Sequence, residues 1–273
     1  MRVLLATGGP GQTELAIQQL LLLADSIPLI PTVLTVIKHA DEQAEAAEIH
    51  AHAAELLAPV FAEVGHKTRI GQAWEEIVRE GETGEYDLIV MGQRQSRPLL
   101  TRIRGLVTQK VVARTSLPVL IAKREARPFR RILICDSGVQ SPPLLKVLKL
   151  HLPEILESAS EVTILHVMSQ ISASPSIKGD DLYSTAEELI RAGTHEGAIL
   201  EQDLVVLGNM NLALQAKVRH GLVVDEITSE ARSNSYDLVV IGAHRDEGMP
   251  RFLLDDLAHE LVLDVDRAIL IVR

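Results

Sequence analysis

Residues 85–92 read EYDLIVMG, and 150 positions later residues 235–242 read SYDLVVIG. Each time a Tyr-Asp pair leads into four consecutive apolar residues and a glycine. Strands that are apolar at every position, rather than at alternate ones, are those covered on both faces. The same offset relates Lys67-Thr68-Arg69-Ile70-Gly71 to Lys217-Val218-Arg219-His220-Gly221, Glu76-Ile77 to Glu226-Ile227, and Val119-Leu120-Ile121 to Ile269-Leu270-Ile271. Nearer the start, Arg2-Val3-Leu4-Leu5 matches Arg131-Ile132-Leu133-Ile134 at an offset of 129. The chain is therefore written twice, and the difference between the offsets gives the second copy about 21 extra residues before Lys217. Such a repeat decides the architecture before any single element does.

In the first copy, short aliphatic runs predict strands at 2–6, 32–37, 66–70, 87–92 and 118–122. Longer patterns between them predict helices at 12–24, 41–63, 72–83 and 104–114. The alternation implies parallel sheets with right-handed crossovers. The expected fold is α/β: two tandem doubly wound, Rossmann-like parallel-sheet domains related by a pseudo-twofold. The boundary falls at Arg127-Pro128, giving domains 1–126 and 127–273. The extra residues fall near 169–190, as a Ser-rich stretch 169–181 followed by a helical run, 184–192.

Apolar content of 47% and charged content of 23% in 273 residues suit a globular protein with a full core. Aromatic residues make up only 3%, so that core rests on Leu, Ile, Val and Ala. The single cysteine, Cys135, leaves no internal disulfide and reads as a buried thiol. The start carries no signal-peptide layout and no apolar run approaches membrane-spanning length, so a soluble cytoplasmic protein is expected. Residues 1–129 hold 14 basic against 15 acidic side chains, so nine of the ten net negative charges fall in the remainder. An acidic chain argues against general nucleic-acid binding, which depends on neutralising phosphates.

Ligands of open parallel sheets bind beyond the carboxyl ends of the strands, where the strand order reverses. Two loops of the first copy qualify. One is Thr7-Gly8-Gly9-Pro10-Gly11-Gln12-Thr13, where Thr13 is a candidate helix cap and the glycines permit close approach of an anion. The other is 92–110, GQRQSRPLLTRIRGLVTQK, with glycines near both ends and four arginines between them. Guanidinium groups pair well with phosphates, although a charge run also suits a solvated loop.

The segments Tyr86–Gly92, Gly105–Val112 and Leu117–Ile121, with the turn Gly71-Gln72-Ala73-Trp74 into a helix, resemble the universal stress protein family in its tandem two-domain form. ATP-binding members of that family resemble one another in a Gly-x2-Gly-x9-Gly-Ser/Thr segment around the phosphates. Carried over residue by residue, this falls on Gly92, Gln95, Gly105 and Leu106, with Thr108 at a further hydroxyl position. The family's aspartate at the end of the first strand falls on Gly8. The resemblance implies ATP or another adenine nucleotide in the first copy, contacted by Gly8, Gly9, Gly92, Gly105 and Thr108. Arg94 and Arg97 would be phosphate partners. In the second copy, Arg245 and Asp255-Asp256 replace the glycines and hydroxyl, Ala258 replaces the last hydroxyl, and carboxylates so placed would repel a phosphate. No nucleotide is expected there.

Nothing pairs a nucleophile with a base: Ser137 lacks the flanking glycines of a nucleophile elbow. His50 and His52 lie two apart on a helix and make a poor chelate, and His195-Glu196 and His259-Glu260 lack a spaced second histidine. No metal ligands are assigned. Trp74 reads as packing, or as a face for an adenine or a partner. The expected function is that of a stress-response-type binding protein, with a nucleotide-independent interaction module, engaging an unknown protein partner, as the alternative. A weak ATPase stands last. The resemblance also implies an intramolecular pseudo-dimer through Pro118–Lys123 and Ala268–Arg273, and leaves room for a further homodimer.

Overall fold

The computed structural model describes residues 1–8, 11–93, 102–138, 140–168, 184–242 and 252–273, with side chains throughout except at 102–106 and 252–256. The chain divides into two compact units, Met1–Pro128 with Asp266–Ile271, and Phe129–Val265 with Val272–Arg273.

The first unit holds strands β1 (Arg2–Ala6), β2 (Ile30–Ile37), β3 (Gly65–Ile70), β4 (Leu88–Gln93) and β5 (Val119–Lys123). Helices α1 (Gln12–Ala24), α2 (Gln43–Leu57), α3 (Ala73–Gly81) and α4 (Arg102–Arg114) alternate with them. The five strands are parallel in the order β3-β2-β1-β4-β5. The C-terminal strand Ala268–Val272 adds antiparallel to β5, with Ile269 opposite Ile121 and Ile271 opposite Val119. Val3, Leu4, Leu5, Leu88, Ile89 and Val90 are wholly buried. Their continuous apolar runs thus match burial on both faces.

The second unit repeats this plan. Strands β6 (Arg131–Cys135), β7 (Glu161–Met168), β8 (Ala213–His220) and β9 (Leu238–Gly242) are parallel in the order β9-β6-β7-β8, and the C-terminal strand is β10. Its helices are α5 (Leu144–His151), α6 (Pro153–Glu157), α7 (Ala186–Ala192), α8 (His195–Leu207), α9 (Val223–Ser233) and α10 (Phe252–Asp264). The helical part of the extra segment is α7, opened by a capping box in which Thr185 and Glu188 satisfy each other's backbone N–H. Residues 169–183 lie outside the described ones.

Two local expectations change. The helix expected over 41–63 ends at Leu57, because Pro59 has no N–H to give to the preceding turn and its ring clashes there. Thr13 does not cap α1. Gly11 holds the cap position in the left-handed region at φ 76°, while the Thr13 hydroxyl returns to the N–H and the carbonyl of Gly8, each at 3.2 Å.

The repeated sequence motifs are structural. Tyr86 donates to the Glu80 carboxylate at 2.9 Å, and Lys67 and Arg69 donate to the same carboxylate at 2.6 Å each. In the second unit Tyr236, Lys217 and Arg219 surround Glu230 at 2.9, 2.9 and 2.7 Å. Each glutamate is only 1% exposed. Burial alone would raise their pKa values, but the lysine, arginine and tyrosine donors outweigh it and hold both carboxyls below the usual range. The aspartates of the Tyr-Asp pairs tie down the first strand of each unit. Asp87 accepts from the Arg2 N–H at 2.7 Å, and Asp237 from that of Arg131 at 2.9 Å.

Candidate ligand site at the strand ends

In the first unit the strand order reverses between β1 and β4, whose residues Ala6 and Met91 are register partners. Gly8 and Gly92 therefore follow adjacent strand ends at the place where such folds hold ligands. The structure brings them together around one residue, Gln12, at the start of α1. A Cβ on Gly92 would collide with the Gln12 backbone carbonyl, and one on Gly8 with its side-chain amide oxygen. Sequence reasoning assigned both glycines to a ligand and missed Gln12. Its signal is the helix start itself, since that turn must pass over the neighbouring strand end.

α1 starts beside these glycines, and its cap position, Gly11, makes no side-chain cap hydrogen bond. One carboxylate stands in its first turn, Glu14, whose side chain lies 3.6 Å from His52. Gly105 is the fourth residue of α4, and Thr108, one turn along, is buried at 5% exposure. Gly9, Arg94 and Arg97 lie outside the described residues, as do residues 243–251 and the side chains of Asp255 and Asp256.

The corresponding end of the second unit has different chemistry. Asp136, just past β6, accepts from the Gly138 N–H at 2.7 Å, and Ile199 of α8 packs over Gly138. Among the described residues, the atoms nearest a Cβ on Gly242, the counterpart of Gly92, belong to the movable side chain of Gln140. Behind Asp136 is a cluster of buried ionisable groups. Asp203 is 2% exposed, Asp136 5%, His166 7% and Glu196 8%, where the first unit has Ala53, Thr7, Thr35 and Ala46. Asp203 hydrogen-bonds through its carboxyl to Asp136. Burial first, then the Asp136 charge, push its pKa up to about 8, and its second oxygen has no partner. His166 stands with Nδ1 2.9 Å from the Asp136 carbonyl oxygen, and burial lowers its pKa despite the neighbouring acids. Among the described residues this end of the second unit is acidic.

Other candidates resolve as packing. Cys135 is buried beside this cluster and burial pushes its thiol pKa far up, which leaves it unreactive. Trp74 is stacked by Lys110 at 5.2 Å and Arg114 at 4.5 Å. In the second unit an open polar groove of about 550 Å³ is lined by Asp225, Thr228, Arg232 and Asp264, the last at the position matching Arg114. Among the described residues, no three His, Cys, Asp or Glu gather to hold a metal, and no helix is long and apolar enough to cross a membrane.

Each of the two units is a doubly wound α/β fold whose strand order reverses beside its first strand. The chain belongs to the universal stress protein family, whose model matches it twice, over residues 1–123 and 128–273. Among solved structures it is similar to a universal stress protein from Archaeoglobus fulgidus DSM 4304, at 15% identity and a TM-score of 0.71, covering 100% of this chain and 96% of that one. A functionally unknown protein from Pseudomonas aeruginosa PAO1 is similar at 16% identity and a TM-score of 0.68, covering 99% and 92%. The cytoplasmic domain of a prokaryotic cation chloride cotransporter is similar at 12% and 0.53, covering 99% and 94%. At these identities the likeness establishes the fold alone. No curated protein matches the chain.

Proposed function

We propose that this chain is a stress-response-type regulatory protein of the cytoplasm that acts by binding, and that its N-terminal unit alone takes ATP or another adenine nucleotide. The observation that supports this reading is the contrast between the two strand-end openings. In the first, Thr7 stands at the end of β1 where the second has Asp136, and α1 begins beside it without a side-chain cap, a setting that suits phosphate oxygens. In the second, the Asp136 carboxylate already takes a backbone N–H, and a buried acid pair stands behind it. An anion would meet repulsion there. Bound nucleotide would bridge 92–105 and the start of α1 and change the surface offered to a protein partner. Binding rather than hydrolysis is the proposed activity.

One observation favours a second reading, in which the chain works without nucleotide. Gln12 already fills the space against both glycines, so internal packing explains them without a ligand. Displacement of a fluorescent ATP analogue separates the two. Under the first reading wild-type protein binds it, Gly105→Asp abolishes binding and Asp255→Asn leaves it unchanged. Under the second, none of the three proteins binds.

A further inference from the structure

His50 and His52 make no chelate on their own helix, but the fold gives His50 a different partner. His50, on α2, faces His66, on the edge strand β3, with ring centroids 5.0 Å apart and planes tilted by 41°. The Nε2 atom of His50 is buried and has no hydrogen-bond partner. His66 is exposed, so the pair is reached from solvent on its side. Imidazole is the commonest protein ligand for metals, through a ring-nitrogen lone pair.

An imidazole nitrogen left without a hydrogen bond has a lone pair or a proton unused, and a burial cost goes unrepaid. Two imidazoles bound to one ion at about 2.0–2.1 Å in a tetrahedral arrangement have ring centres roughly 5 Å apart. That separation is the one found between His50 and His66.

We propose that His50 and His66 form a two-point site for a late first-row divalent cation of the copper, nickel and zinc class, clamping α2 to the edge strand. Imidazole ligands select that class over magnesium or calcium, which prefer oxygen. Among the described residues no third His, Cys, Asp or Glu completes the set, so water fills the remaining positions and affinity is moderate. The ion enters from the His66 side, and a turn of that exposed ring opens the approach to His50 Nε2. The first sequence copy supplies both residues. At the 150-residue offset the second has Leu200 and Ala216, so the site is single.

The test is titration of the full chain with Cu²⁺, followed by calorimetry and by electron paramagnetic resonance. The expected result is one ion per chain with two imidazole nitrogens in the spectrum. His50→Gln and His66→Gln should each weaken binding at least tenfold, while His52→Gln leaves it unchanged. Magnesium should not compete and Zn²⁺ should. His66→Gln changes an exposed side chain, so its result stands even if His50→Gln fails to fold. Copper binding that survives His66→Gln, or no binding at micromolar to millimolar Cu²⁺, would overturn the proposal.

Discussion

The backbone carbonyl of Gln12 stands where a Cβ on Gly92 would have to be. One consequence is that Gly92 is required by the fold whether or not a nucleotide binds. Gly92→Ala must push α1 away from β4, which should cost about 1–3 kcal/mol, typical of overpacking. Among the described residues Gly242→Ala meets the flexible end of Gln140, and it should cost about 1 kcal/mol or less. Urea denaturation of the two variants checks the ordering. Equal losses would mean that the two glycines serve the same purpose.

The ion networks around Glu80 and Glu230 predict that single neutralisations are costly in both units. Replacing Lys67 and Arg69 together leaves a buried carboxylate held by Tyr86 alone, and breaking such a buried pair costs about 3–5 kcal/mol. Glu80→Gln should cost less, because it removes the buried charge along with its partners' attraction. A melting series of Glu80→Gln, Lys67→Met/Arg69→Met and the triple variant reads the coupling directly.

Acid and alkaline limbs of the stability curve should arise from different carboxyl groups. Glu80 and Glu230 have folded-state pKa values below the ordinary one, so their contribution is present above about pH 4.5 and is lost as pH falls through the lowered values. Asp203 behaves oppositely. Its folded-state pKa of about 8 lies above the ordinary carboxylate value, so its contribution is full below about pH 4 and is lost as pH rises through 8. The groups facing it are Asp136 and, around that residue, His166 and Glu196. Between pH 5 and 9 the wild type should lose stability that Asp203→Asn retains, because an asparagine amide has no proton to lose and can still donate to the Asp136 carboxyl group. Parallel pH profiles for the two proteins would contradict the raised Asp203 pKa.

The fold was legible because its evidence is local and repeated. Continuous apolar runs at Leu88–Met91 and Leu238–Ile241, and the paired Lys-x-Arg and Tyr-Asp motifs, need only the sequence to be seen. The motifs that reveal the repeat turn out to hold structure together, since Tyr86 and Tyr236 serve buried glutamates and Asp87 and Asp237 hold strand ends. The site was less legible, because its determinants join residues far apart in the chain. Gln12 over Gly92, Asp203 against Asp136 and His50 opposite His66 each need a helix laid across a strand. Spacing along one segment cannot show such pairs. It showed only that His50 and His52 point apart.

Gln12 also predicts a gain of function. If its side chain and a nucleotide compete for the space beside Gly8, Gln12→Ala should raise ATP affinity several-fold and leave the fold intact. Binding unchanged from wild type would place the nucleotide elsewhere.

The measurement that tests the central claim most directly is calorimetric titration of wild-type protein with ATP, with and without Mg²⁺, at moderate salt. One site per chain of micromolar affinity, about −8 kcal/mol, is the result expected of a chain with one working strand-end opening. Two equivalent sites, or no heat at millimolar ATP, would contradict it.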